Sequence, residues 1–301
     1  MTDLIALFGP TGVGKTAVAL ALADLLRERG EDPVAISADA LQVYRGLETL
    51  TGVATPEEQA RLEHRLVSFV PVTETFSVGE YMPLAHEEID RALAEGRRPI
   101  VVGGTGLYLR AALTELDLRP KPPPELRERL MRELKRRGPQ ALHAELAAHA
   151  PWAAERIAPT DSSRIVRALE LHELGALEPP PERSQLWTED VRVPTLLAGL
   201  VMDRDELYRR IEARVEQMVA AGAIEEVRRA DEAGASATAR KALGFEQLLA
   251  GDVEAMKRDT RHYARRQLTW MRKLPNAVRI DVTGREPEDV AAEILARAAG
   301  R

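Results

Sequence analysis

A short apolar run, Leu4 to Phe8, leads directly into Gly9-Pro10-Thr11-Gly12-Val13-Gly14-Lys15-Thr16, and Leu and Ala then recur at helical spacing from Thr16 to Arg29. The spacing G-x-x-x-x-G-K-[ST] between a strand and a helix limits the fold more than any other stretch of this chain. Its glycines let successive backbone N–H groups turn inward on phosphate oxygens, and the following helix adds its positive N-terminal end. Lys15 reaches the terminal phosphate and the Thr16 hydroxyl can ligate Mg²⁺. Gly9 to Thr16 are therefore expected to cradle phosphate, with Thr16 the metal ligand.

The rest of the first third fits the same architecture. Pro33 to Ser37 (PVAIS) reads as a second strand, Tyr81 to Glu95 as a helix, and Arg98 to Val102 (RPIVV) as a third strand ending in Gly103-Gly104. Strands alternating with helices predict a parallel sheet with helices on both faces. Arg119 to Pro124 (RPKPPP) then breaks the pattern, and three helices follow at Glu125–Arg137, Gln140–His149 and Ser162–Leu174 before a second proline cluster, Glu178 to Pro181. Thr195 to Val201 (TLLAGLV) is strand-like again. The expected fold is α/β: a P-loop NTPase-like parallel sheet over 1–118 and 194–301, interrupted by an all-helical insert over 119–193. The C-terminal third reads as mostly helical (Arg204–Ala221, Ile224–Ala233, Phe245–Ala250, Glu254–Leu274), with a last strand at Val278–Val282.

Composition narrows the chemistry. The 301 residues contain no cysteine, which removes disulfides, a Cys-ligated zinc and a thiol nucleophile. No run approaches the ~20 apolar residues of a membrane helix, and the N-terminus lacks the pattern of a secretion signal. The chain reads as cytoplasmic, with no membrane partner, and as a monomer. A net charge of −6 does not announce a nucleic-acid binder, but the average hides local excess. Lys257 to Lys273 holds seven basic residues and one acid, and Arg119 to Arg137 holds eight basic residues and three acids. On the C-terminal helix, Arg258, Arg261, Arg265 and Arg272 share a face, with Tyr263, Gln267 and Trp270 on another stripe. A basic face beside amphipathic aromatics suits a phosphate backbone. The six histidines are scattered without ligand spacing and read as structural or exposed.

The loop alone does not name the reaction. Kinases, ATPases and GTPases share it. An ATPase normally carries an acid at the end of a later apolar strand, where PIVV here runs into Gly103-Gly104-Thr105, and the base-reading N-K-x-D of GTPases is missing. Three further segments are more informative: Ser37-Ala-Asp-Ala-Leu-Gln-Val-Tyr-Arg45, Gly103-Gly-Thr-Gly-Leu-Tyr-Leu109, and Thr238–Phe245 with Thr260–Arg272. An acid just past the second strand sits beside the phosphate loop in this architecture.

Taken together these segments resemble the tRNA dimethylallyltransferases. That family's G-P-T-x-x-G-K-T, S-A-D-S-x-Q-V-Y-R, V-G-G-T-G-L-Y, D-x-x-R-I-x-R-A-L-E, I-G-Y and T-R-x-Y-A-K-R-Q-x-T-W stretches have counterparts, in order, at Gly9–Thr16, Ser37–Arg45, Val102–Tyr108, Asp161–Glu170, Leu243–Phe245 and Thr260–Trp270. The departures are small: Ala40 stands where the family has Ser, Leu243 and Phe245 replace Ile and Tyr, and Leu50 to Pro56 lacks the family's usual Lys.

The resemblance implies transfer of a dimethylallyl group from its pyrophosphate to N6 of adenine 37 in tRNA, with Mg²⁺ as cofactor. The phosphate loop would hold the pyrophosphate of the donor. Asp39 would take a hydrogen bond or proton from N6, Thr105 would bond a donor phosphate oxygen, and Arg214 matches an arginine that contacts pyrophosphate. Asp39, Ala40, Leu41 and Gln42 would line the base pocket. Ser163, Arg164, Ile165, Val166 and Arg167 would face the anticodon stem-loop, as would Arg240, Lys241, Ala242, Leu243, Gly244 and Phe245, with Arg127 a further contact. Three other readings compete: a prenyltransferase acting on free adenine nucleotides, a small-molecule kinase with Asp161–Arg167 as its lid, and a non-catalytic RNA-binding protein.

Overall fold

The computed structural model describes residues 2–179 and 184–300, so the second proline cluster is described only through Pro179. The chain separates into two compact units, Met1–Leu116 with Leu186–Arg301, and Asp117–Gln185. The second unit is shorter than the insert read from sequence. Residues 186–193 belong to the first unit because their contacts are there: Trp187 packs on Trp270 with ring centroids 4.6 Å apart, and the Arg192 N–H donates to the Leu113 carbonyl at 2.8 Å.

In chain order, the first unit begins with β1 (Leu4–Phe8), α1 (Lys15–Glu28), β2 (Pro33–Ser37), β3 (Tyr44–Arg45), α2 (Glu48–Thr51) and α3 (Pro56–Arg61). It continues with β4 (His64–Arg65), β5 (Val70–Pro71), α4 (Val78–Ala94), β6 (Arg98–Gly103) and α5 (Gly106–Leu113). The second unit is α6 (Pro124–Arg137), α7 (Pro139–His149), α8 (Pro151–Ala154) and α9 (Ser162–Glu173). The first unit resumes with β7 (Thr195–Val201), α10 (Arg204–Ala220), α11 (Ala223–Glu232), α12 (Phe245–Leu249), α13 (Val253–Met271), β8 (Val278–Asp281) and α14 (Pro287–Ala299).

The strands β4-β2-β6-β1-β7-β8 form one parallel sheet. β1 is central: Ile5 registers with Ile100 on one side and Leu196 on the other. All five residues of β1 are buried, as a strand covered on both faces requires, which is why it reads as a continuous apolar run and not as an alternation. Ile5 and Leu7 share a core with α1 and α14. Phosphate-binding loops of this kind lie at the carboxyl end of such strands, where the first turn must reverse sharply. Gly12 and Gly14 accomplish this at φ +83° and +97°, conformations that cost a side-chain-bearing residue about 1–2 kcal/mol.

A second core in the same unit joins β3, β5, α2, α11 and α12 around Tyr44, Phe245 and Met256. The unit 117–185 has its own core of Leu130, Leu142, Leu146, Ile165, Val166 and Leu169. There Glu170 is 0% exposed and is satisfied by Arg127 at 3.1 Å and Arg167 at 3.3 Å. Arg167 also donates to the carbonyls of Arg119 and Pro120, at 3.1 and 2.8 Å. Such a buried carboxylate persists only with its cationic partners in place. Within this unit the basic residues of α6 largely meet acids: Arg129 pairs with Glu173, and Arg137 with Glu133 and Glu145.

No helix among the described residues is long and apolar enough to cross a membrane. The last helix, α14, lies outside the elements read from the sequence and buries Val290, Ala291, Ile294, Leu295 and Ala298. Truncating the central strand tests this core: Ile5→Ala should lower unfolding free energy by about 2–5 kcal/mol in urea titration, and a loss below about 1 kcal/mol would contradict the burial assigned to β1.

Candidate active site

The carboxyl ends of β1, β2 and β6 open onto a cavity of about 310 Å³. Sequence-distant residues converge on it: Thr11, Gly12, Gly14, Lys15 and Thr16 from the loop, Asp39, Leu41 and Gln42 after β2, Gly103 and Gly104 after β6, and Arg214 from α10. Gly52 and Glu58 come from the α2–α3 region, His64 from β4, and Leu243, Met256, Tyr263 and Gln267 from the helical part.

Lys15 begins α1 and folds back on its own loop, donating to the Gly9 and Pro10 carbonyls at 2.9 and 3.0 Å. Burial lowers its pKa to about 8; nearby Asp39 works against that shift and Arg214 adds to it. Arg214 is also desolvated, which disfavours its charge, while Glu58 and Asp39 favour it. Its guanidinium lies against Gly52, where an added Cβ would overlap it. Its Nε is buried with no hydrogen-bond partner, and among the described residues neither Lys15 nor Arg214 forms an ion pair. Two cations therefore face one cavity with donors to spare.

Asp39 lies opposite. Its carboxylate accepts from the Leu41 N–H at 3.0 Å, an Asx turn that holds it at the end of β2. Desolvation raises its pKa, against the lowering influences of the Leu41 N–H, Lys15, the Gln42 N–H and the Thr105 hydroxyl. A carboxylate shifted upward is a better proton acceptor than a solvated one. The Thr105 hydroxyl accepts from the Ala40 N–H at 3.4 Å and lies 3.5 Å from the Tyr263 hydroxyl. Gln42 is pinned by both ends of its amide: Oε1 accepts from Ser37 Oγ at 3.0 Å and Nε2 donates to the Gly52 carbonyl at 3.0 Å.

The remaining predicted contacts sort by burial. Ala242, Gly244 and Phe245 are buried, so they support a surface and do not form one. Arg240 stacks on Phe245 and pairs with Asp231 and Glu246, whereas Lys241 is exposed. Ile165 and Val166 are core residues of the second unit, which corrects their expected exposure; α9 is amphipathic there and turns them inward. Ser163 and Arg164 are exposed on the same helix, Arg167 is half-buried against Glu170, and Arg127 is exposed but shares that carboxylate.

Two readings of the C-terminal helix change. Arg258, Arg265, Arg266, Arg272 and Lys273 are exposed, but Arg261 turns toward α10 and pairs with Glu212 at 2.6 Å. The stripe of Tyr263, Gln267 and Trp270 faces inward, not outward to a ligand backbone. Trp270 packs where a Cβ on Gly106 would overlap its ring. Sequence reasoning also passed over His64. Its Nδ1 donates to the Leu62 carbonyl at 2.6 Å, burial lowers its pKa, and the residue lines the cavity. No spacing in the chain signals this, because His64 arrives on an edge strand of two residues.

The chemistry of the arrangement is that of an anion held by Lys15, Arg214 and loop amides beside a proton acceptor. Mg²⁺ fits this donor set in one mode only. Among the described residues there is no group of three acids or histidines, so a cation here would rest on the Thr16 hydroxyl and take its other oxygens from phosphate and water, as Mg²⁺ commonly does.

Known proteins share this sequence and fold. Residues 42–274 match the family described as IPP transferase, and residues 2–77 the family described as isopentenyl transferase. A tRNA dimethylallyltransferase of Thermobifida fusca is 43% identical over 91% of this chain and 88% of its own length. One from Thermomicrobium roseum is 41% identical over 93% and 86%. The crystal structure of a full-length tRNA isopentenylpyrophosphate transferase from Bacillus halodurans aligns with a TM-score of 0.71 at 33% identity, covering 100% of this chain and 96% of that one. With the phosphate loop, the Asp39 turn and the opposed cations all in place, the chain belongs to the tRNA dimethylallyltransferase family.

Proposed function

We propose that this protein transfers the dimethylallyl group of dimethylallyl pyrophosphate to N6 of adenine 37 in tRNA and releases pyrophosphate. The observation that carries this reading is the pair of buried cations, Lys15 and Arg214, that form no direct ion pair among the described residues and face the same cavity as a carboxylate whose pKa is raised. Such a site suits a leaving group that gains negative charge and an attacking amine that must lose a proton.

The donor's C–O bond breaks as N6 bonds to its C1 carbon. Negative charge then grows on pyrophosphate, where Lys15, Arg214 and the N–H groups of Gly12 to Thr16 stabilise it. Thr105 contributes a hydroxyl on the same side. Thr16 would hold Mg²⁺, which when bound neutralises part of the pyrophosphate charge. The proton leaving N6 passes to Asp39, and Ala40, Leu41 and Gln42 shape the base pocket around it. The apolar part of the cavity, with Leu50, Val215, Met218, Leu243 and Met256, suits the five-carbon chain. Adenine must leave the RNA stack to enter. Exposed side chains at Ser163, Lys241 and along α13 support contacts to the anticodon stem-loop, with Arg127, Arg164, Arg167 and Arg240 already committed to acids. A kinase reading is disfavoured by the family match.

The assay that tests this supplies Mg²⁺, labelled dimethylallyl pyrophosphate and either unmodified tRNA or AMP. Label on tRNA is expected; label on AMP alone would sink the reading. In the same assay Asp39→Asn should lower the rate by at least about tenfold while tRNA binding stays nearly intact, and unchanged turnover would remove Asp39 from the mechanism.

The two shifted groups set a pH dependence. Asp39 must be deprotonated and its pKa is raised, so kcat/KM for the donor falls as pH drops through that value. Lys15 must be protonated and its pKa is lowered to about 8, so kcat/KM falls again as pH rises through about 8. Lys15→Arg should remove the alkaline limb; a limb that persists would assign it elsewhere. On α13, Arg265→Glu should weaken tRNA binding and reduce the slope of log K against log[salt] by about one phosphate contact or more, whereas a salt-independent loss would indicate misfolding.

A further inference from the structure

The phosphate loop and the turn after β6 are bridged by a side chain more than 250 residues from the first of them. Gln267 of α13 is 4% exposed. Its Oε1 accepts from the Thr11 N–H at 2.9 Å, and its Nε2 donates to the Gly104 carbonyl at 2.8 Å. Gly104 is small enough to allow this: a Cβ there would overlap Nε2. A neutral primary amide is the side-chain group that accepts from one backbone N–H and donates to another backbone carbonyl at once without carrying charge. Each bond alone is ordinary. Together they set the separation between the loop that begins at Gly9 and the turn that presents Thr105.

Neighbouring positions on α13 reinforce the register. Tyr263, one helical turn earlier, meets Thr105, and Trp270, three residues later, packs on Gly106. Without the amide, the Thr11 N–H and the Gly104 carbonyl would be buried and unpaired, and the loop would relax toward other partners. Gln267 itself lines the cavity but bears no charge for a pyrophosphate to read.

We infer that Gln267 is a positioning residue for the donor: its amide clamps the phosphate loop to the 103–106 turn, and so holds the loop amides, Lys15 and Thr105 at the spacing one pyrophosphate spans. This rests on the pyrophosphate reading of the site, and label transfer by the unaltered protein tests that reading separately. The clamp is tested with Gln267→Met, which keeps the volume and loses both bonds, and Gln267→Glu, whose second carboxylate oxygen faces the Gly104 carbonyl. Gly104→Ala displaces the amide from the opposite side without altering α13.

Inorganic pyrophosphate binding is measured by calorimetry, tRNA binding by filter retention, and folding by thermal melting. All three variants should bind pyrophosphate about tenfold or more weakly, the size expected from two stranded polar groups. The KM for dimethylallyl pyrophosphate should rise while the affinity for tRNA stays within about twofold. Folded variants that bind pyrophosphate like the unaltered protein would overturn the inference. So would equal losses for pyrophosphate and tRNA, which would make Gln267 a support of α13 as a whole, or a failure of all three to fold.

Discussion

The site depends on buried positive charge that the protein leaves without a direct ion pair among the described residues. Lys15 and Arg214 share a cavity with Asp39, whose charge favours both at a distance, and with Glu58, whose charge favours that of Arg214. Burial of this kind costs free energy, and it persists because the surrounding backbone is over-determined by contacts elsewhere. β1 is buried on both faces, Gly52 lets the Arg214 guanidinium approach, and the Asx turn at Asp39 fixes the acid. In the proposed reaction a pyrophosphate leaving group would supply a direct partner for these cations, most strongly once the donor bond has broken, so that the cost of burying them would be offset along the reaction coordinate and not only on binding.

The proposed chemistry and the proposed RNA contacts would share one helix. The inner stripe of α13 places Tyr263, Gln267 and Trp270 against the turn after β6, while its outer stripe exposes Arg258, Arg265, Arg266 and Arg272. Helical periodicity makes this division possible: residues three and four apart stay on one face, so two unrelated demands occupy one segment without interference. It also explains why Gly104 and Gly106 follow β6. They are small because α13 lies where their side chains would be.

The unit 117–185 follows a different logic. Its basic residues are numerous, but most are spent on acids of the same unit, with Glu170 at the hub. Counting charges along α6 overstates the positive surface it offers. Even at the start of α9, where Ser163 and Arg164 are exposed and the helix N-terminus adds its own partial charge, Arg164 pairs with Asp161 at 3.5 Å.

How much of this could be read from the chain depends on the range of the interaction. The phosphate loop is eight consecutive residues, so its glycines, its lysine and the flanking strand and helix were legible at once; the long strands and helices were legible because burial on both faces, or on one, imposes a local period. Asp39 and Thr105 could be named by resemblance because each lies just past a strand that was itself legible. His64 could not, since it rides on a two-residue strand with no period. Local sequence by itself determined the parallel α/β core, the phosphate cradle and the helical insert. Only tertiary packing decided that Tyr263, Gln267 and Trp270 face the site and not a ligand backbone, that Ile165 and Val166 are core, and that Arg214 reaches Lys15 and Asp39 from nearly two hundred residues away. Periodicity states that a helix has two faces; which of them meets the sheet is set by the glycines and cavities of partners distant in sequence.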